Sequence, residues 1–134
     1  MHLEDKGFLV VIENAGAPPF SIARVFIVQA EKNAVRGRHA HKLCSQFLVC
    51  SSGEVLITCT DGDERVEFLL NKPSLGLLIP PGFWSEQVYL TENSALTVLC
   101  DRVYEAEDYI REYSNFLKFR KSLETKNGMN TGEV

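Results

Sequence analysis

The chain has 134 residues, 45% of them hydrophobic and 24% charged, enough for one soluble-type domain with a core of its own. Its net charge of −4 excludes the broad cationic surface with which nucleic-acid binders hold phosphates. The opening stretch MHLEDKGFLV carries charges where a signal peptide needs an apolar core, and no apolar run approaches the ~20 residues of a membrane span. The expectation is a cytoplasmic protein that engages neither membrane nor nucleic acid.

Taken in chain order, short apolar and β-branched runs recur at 8–13, 24–29, 46–50, 54–60, 64–70, 76–80 and 94–100. Turn chemistry ends each one, as at Pro18-Pro19, Gly53, Asp61-Gly62, Pro73 and Pro81-Gly82. Strands at this spacing, with no long helix among them, predict an antiparallel sandwich or small barrel. After Tyr104 the period changes. Tyr109, Ile110, Tyr113, Phe116 and Leu117 fall at helical spacing and predict a short C-terminal helical segment. Residues 1–125 read as a single domain and the polar residues 126–134 as a disordered tail. Cys44, Cys50, Cys59 and Cys100 form no CxxC pair, so a zinc knuckle is not expected, and most read as small buried hydrophobes.

The stretch RGRHAHK, residues 36–42, holds two of the chain's 3 histidines. On a regular extended segment His39 and His41 project to one face together with Gly37, because strand side chains alternate. Arg36 and Arg38 then project to the other. Such a pair is half of a metal site, an acid–base pair, or two structural imidazoles. The cations Arg36, Arg38 and Lys42 suggest one small anionic ligand, since arginine matches phosphate oxygens bidentately.

The wider spacing resembles the cupin signature, in which HxH, a glutamate and a later PxG-histidine supply metal ligands. Gln46 stands where the glutamate would fall, and Ser85, after Pro80-Pro81-Gly82-Phe83-Trp84, where the last histidine would fall. A neutral amide and a hydroxyl are poor ligands for a divalent ion, so the reading is a cupin without metal. A closer resemblance is to the metal-independent nucleotide-sugar 3,4-ketoisomerases. It is carried by RVF (24–26), RGRHAHK (36–42), Gln46 to Gly53, DG..R.E..L (61–69), P..GLLIPPGFW (73–84) and Y...DYIREY..FL (104–117).

That resemblance implies an all-β cupin jelly-roll barrel. It implies a dTDP-linked 4-keto-6-deoxyglucose as substrate and no cofactor. The product would be a 3-keto-6-deoxyhexose for deoxyamino sugars such as those of lipopolysaccharide O-antigens. It also implies a homodimer with exchanged N-terminal strands. Moving a carbonyl from C4 to C3 through an enediol needs groups that accept and donate protons near neutral pH, which suits imidazole. By resemblance His41 acts on carbon and His39 on oxygen, while Gln46 and Ser85 stabilise the enolate. Arg36 and Arg38 meet the diphosphate, and Trp84 either walls the sugar pocket or packs in the core. Tyr109, Arg111 and Tyr113 read as packing and interface residues. Two readings compete: a metal-dependent cupin enzyme, and a non-catalytic nucleotide-sugar-binding module.

Overall fold

Strand alternation lays down two facing sheets in a computed structural model that describes residues 2–4, 7–13 and 17–132, with side chains within 9–13 and 17–125. Strands β1 (His2–Glu4) and β2 (Gly7–Leu9) pair with each other and with neither large sheet. The remaining strands are β3 (Arg24–Ala30), β4 (Val35–His41), β5 (Gln46–Ser52), β6 (Val55–Thr60), β7 (Arg65–Leu70) and β8 (Gly76–Ile79). They are followed by β9 (Trp84–Tyr89), β10 (Ser94–Cys100) and the two-residue β11 (Tyr109–Ile110). One sheet has the order β3-β10-β5-β8 and the other β11-β4-β9-β6-β7, all pairs antiparallel. This is the expected all-β sandwich, and no strand pairing among the described residues closes the two sheets into one barrel.

The core lies between the inner faces. Leu48, Cys50, Leu96, Val98 and Cys100 of the first sheet meet Val55, Ile57 and Tyr89 of the second. Each is at most 1% exposed, and fully burying an aliphatic side chain contributes about 1.5–3 kcal/mol. Toward the β3, β4 and β11 end the inward positions turn polar: Arg24, Arg36, His39, Gln46, Ser85 and Gln87. Apolar packing thus holds one half of the sandwich shut while the other half presents polar groups to a gap between the sheets.

Two strands are absent from the sequence expectation. β9 reads WSEQVY, and its inward residues include Ser85 and Gln87, so its apolar alternation is broken where it faces the polar end. β4 is hidden for the same reason, with His39 and His41 inward. The C-terminal helical expectation is corrected in its bounds. Tyr109 and Ile110 are extended, paired to His41 and Ala40, because β4 needs an edge partner there. The helix α1 (Tyr113–Gly132) starts later and runs further, so the segment expected as a tail is helical backbone as far as Gly132. No proline interrupts that stretch. Among the described residues no helix is long and apolar enough to cross a membrane.

Candidate active site

β4 does not run as a regular strand. Arg36 pairs with Gln87 and Gly37 with Glu86, but the next ladder pair is His39 with Ser85, so Arg38 is an extra residue. Gly37 and Arg38 have φ of 85° and 54°, the left-handed backbone of a β-bulge. Ser85 and Gln87 are two apart on β9 and share a face, which puts their partners His39 and Arg36 on one face too. The expectation that Arg36 points away from the histidines is therefore corrected. Arg36 lines a cavity of about 390 Å³ together with His39, while Arg38 is exposed and is not among its lining residues.

The other walls of this cavity come from distant parts of the chain. β3 supplies Arg24, Phe26 and Val28, β5 supplies Gln46, and the C-terminal segment supplies Tyr104, Tyr109 and Arg111. Arg24 Nη2 donates to Tyr109 Oη at 2.8 Å, and its guanidinium lies 4.8 Å from the Phe26 ring centre. The Arg111 guanidinium sits 4.5 Å from the Tyr109 ring centre. Three guanidiniums, Arg24, Arg36 and Arg111, thus border one polar cavity in a chain that is acidic overall. Gln46 is buried, and its amide donates to Cys100 Sγ at 3.7 Å.

The two histidines differ sharply in their surroundings. Their ring centres are 5.0 Å apart, and both lie against Tyr109, at 5.2 Å from His39 and 4.4 Å from His41. His39 borders the cavity. Burial, assisted by His41 and Arg111, pushes its pKa down to about 4, so it is neutral at pH 7. His41 is 7% exposed, and burial lowers its pKa as well, opposed by Asp108. Its Nδ1 lies 2.7 Å from Asp108 Oδ2, and its buried Nε2 has no partner among the described residues.

Asp108 ends a 3₁₀ turn (Ala106–Asp108) just before β11, and its Oδ1 accepts the Leu43 N–H at 2.6 Å. Burial would raise this carboxyl, but the bonds from His41 and Leu43 outweigh it and hold its pKa below the usual carboxylate value. At the other end of the ladder the Gly82 N–H donates to the His41 carbonyl at 2.8 Å, so the PxG turn fixes the end of β4.

Ser85 is buried opposite His39 in the ladder but is not among the residues lining the cavity. Of the two uses expected of Trp84, the structure shows the packing one, and Trp84 is not among the residues lining the cavity. One position from Ser85, it lies on the outer sheet face with Ala40, Ile110 and Phe116, under α1, 5.3 Å from the Tyr113 ring centre. Asp108, Arg24, Tyr104, Tyr109 and Arg111 have no site role in the sequence reading. The missed signal for the last two is their shared parity in DYIRE, once that stretch is read as extended.

His39, His41, Gln46 and Ser85 are the residues that the resemblance to the cupin signature sets at metal-ligand positions. Gln46 already donates its amide to a thiol, and Ser85 offers a neutral hydroxyl, so this donor set fits a divalent ion poorly. The same groups suit proton transfer instead. The neutral imidazole of His39, the Gln46 amide and three guanidiniums line a cavity where charge can develop on oxygen, with His41 and the Ser85 hydroxyl next to His39.

A scan against protein families matches residues 1–121 to the family described as FdtA: WxcM-like, C-terminal. A curated relative, the TDP-4-oxo-6-deoxy-alpha-D-glucose-3,4-oxoisomerase of Aneurinibacillus thermoaerophilus, is 37% identical over 118 residues, covering 87% of this chain and 85% of the relative. The crystal structure of QdtA, a sugar 3,4-ketoisomerase from Thermoanaerobacterium thermosaccharolyticum in complex with TDP, superimposes with a TM-score of 0.82. It is 37% identical, with 90% of this chain and 88% of that one covered. A histidine-to-asparagine variant of that enzyme, in complex with TDP-4-keto-6-deoxyglucose, gives a TM-score of 0.82 at 36% identity and the same coverage.

Proposed function

The chain belongs to the WxcM-like C-terminal (FdtA) family, and from that premise we propose that it is an isomerase that moves the ketone of TDP-4-keto-6-deoxyglucose from C4 to C3. The observation that carries the reading is His39 at a cavity bordered by Arg24, Arg36 and Arg111, with the His41 ring centre 5.0 Å from its own. The guanidiniums meet the diphosphate, since their planar donors match its oxygens. The aromatic rings of Phe26, Tyr104 and Tyr109 offer apolar surface to the rest of the ligand.

The C3 proton is acidified by the adjacent ketone. His41 Nε2 removes it, leaving an enediolate whose charge rests on the C4 oxygen. His39, neutral and beside the cavity, carries a proton from the C3 hydroxyl to that oxygen. His41 then returns its proton to C4, and the ketone stands at C3. Each imidazole ends as it began, so atoms and charge balance without any co-reactant. Gln46 supplies amide dipole to the developing oxyanion. Ser85 backs His39 from the neighbouring strand.

Catalysis in the cytoplasm, in the formation of deoxyamino sugars, and as a homodimer are parts of this reading. Among the described residues the outer edge of β3 pairs with no further strand, and its outward-facing Val25 and Ile27 are exposed, a surface suited to a second copy.

The test is direct. Purified protein is incubated with TDP-4-keto-6-deoxyglucose, and the carbonyl position is followed by ¹³C NMR. A ketone signal arising at C3 is the expected result, and a substrate that binds but never isomerises overturns the reading in favour of a binding module.

A further inference from the structure

The two histidines are not equivalent in their partners, and the difference assigns a role to a residue 67 positions away. Resting on the function above, we infer that Asp108 is the positioning residue that makes His41, and not His39, the base acting on carbon.

An ionised carboxylate only accepts hydrogen bonds, so the proton between Asp108 Oδ2 and His41 Nδ1 belongs to the imidazole. Nδ1–H fixes the tautomer. Nε2 is thereby left as the basic nitrogen, and it is the ring nitrogen of His41 with no partner among the described residues. Asp108 is itself held, since the Leu43 N–H donates to its second oxygen and its own carbonyl accepts from the Lys42 N–H at 2.9 Å. The carboxylate therefore fixes ring plane and tautomer together, as partners of ligating and catalytic histidines do.

The second consequence concerns charge. After taking the C3 proton, His41 is an imidazolium in a buried site, and it must persist until C4 is ready to receive that proton. The charged and titratable groups facing it are Asp108 from the 3₁₀ turn, Arg24 from β3, His39 on its own strand, and Tyr109 with Arg111 from the C-terminal segment. The Cys44 Sγ lies within 4.8 Å of ligand atoms of His41 and Asp108. Among these only Asp108 favours the cation. Among the described residues His39 has no carboxylate partner, and His41 and Arg111 both disfavour its protonation. It therefore passes protons between oxygens without holding a full charge.

The experiment compares wild type with Asp108→Asn, and reads turnover, pH profile and ring tautomer. Asparagine keeps the shape but loses the charge. The expected kcat falls about 10²-fold or more, with KM and TDP affinity within about threefold. Because Asp108 raises the His41 pKa, the acid limb of kcat/KM should also move to lower pH. Retained kcat with an unmoved acid limb overturns the proposal, as does a loss of activity that tracks a loss of TDP binding. ¹⁵N NMR of the wild-type histidines reads the tautomer whether or not the sugar is converted. Nδ1–H on His41 is expected, and Nε2–H there refutes the positioning role even if the isomerase reading stands. A wild-type protein that shows Nδ1–H but no turnover refutes the function and leaves the Asp108–His41 geometry supported.

Discussion

At the scale of single residues, burial governs when the site works. His39 is pushed down to about 4 and stays unprotonated well below the usual histidine range, while burial lowers His41 against the opposing pull of Asp108. The expected kcat/KM is level from about pH 8 down through about pH 6.5 and falls only at lower pH. An acid limb at or above the ordinary histidine pKa in a steady-state profile would contradict this. The same shift sets a cost in stability. Unfolded histidine binds protons below about pH 6.5, whereas folded His39 stays neutral until about pH 4, so stability falls as the pH drops through that window. Denaturant midpoints at about pH 7 and about pH 5 measure it, with the lower midpoint expected in the more acidic buffer. His41→Asn should lower kcat by about 10²- to 10⁴-fold while TDP binding, by calorimetry, stays within a few-fold. His39, His41, Gln46 and Arg36 are legible in the sequence because they sit in contiguous motifs. Asp108 is not, since its pairing with His41 spans 67 positions and no local spacing announces it.

At the scale of elements, the bulge in β4 decides which side chains meet. Without Arg38 as the extra residue, Arg36 and His39 would lie on opposite faces, as strict alternation requires. Gly37 makes the bulge possible. An alanine there would hold φ at 85° with its Cβ 3.3 Å from the Ser85 carbonyl oxygen, a strain of about 1–2 kcal/mol. Gly37→Ala is therefore expected to lower the thermal midpoint and to cut kcat/KM, whereas Arg38→Ala should leave kcat/KM within about twofold. Equal effects from the two variants would argue against the bulge as the device that aims Arg36. Trp84 makes the complementary case. Packed under α1 with Phe116, it is expected on Trp84→Ala to cost about 3–5 kcal/mol of stability with little change in KM. A raised KM without loss of stability would return Trp84 to the pocket wall. Strands with an apolar inner face are legible from alternation, and β4 and β9 are not, because a polar site inverts the very pattern by which a strand is recognised.

At the scale of the whole molecule, the all-β class and the two-sheet arrangement follow from short β-branched runs punctuated by turns. How the sheets meet does not, since strand order depends on pairings across the whole chain. β3 joins β10, and β11 joins β4, each across a long separation in sequence. The proposed pairing of two copies would use β3, whose outer edge has no partner strand among the described residues and whose Val25 and Ile27 are 53% and 67% exposed. Light scattering is expected to give twice the 15.1 kDa chain mass, and Ile27→Lys to shift the species toward one copy. A wild-type monomer with full activity would remove the dimer from the account. The division of labour is the same at this scale: one end of the sandwich is packed to hold the sheets, and the other is left polar for chemistry.

Proton transfer through an enediol is the central claim, and substrate carrying deuterium at C3 tests it most directly. The product, trapped by reduction, is examined by NMR and mass spectrometry. If His41 takes the C3 proton and delivers it to C4, deuterium leaves C3 in every converted molecule. It is then found at C4, or is replaced there by solvent hydrogen to the extent that the buried imidazolium exchanges. C2 keeps its original hydrogen. A converted product that retains deuterium at C3 would contradict the enediol, and with it the roles given to His39, His41 and Asp108.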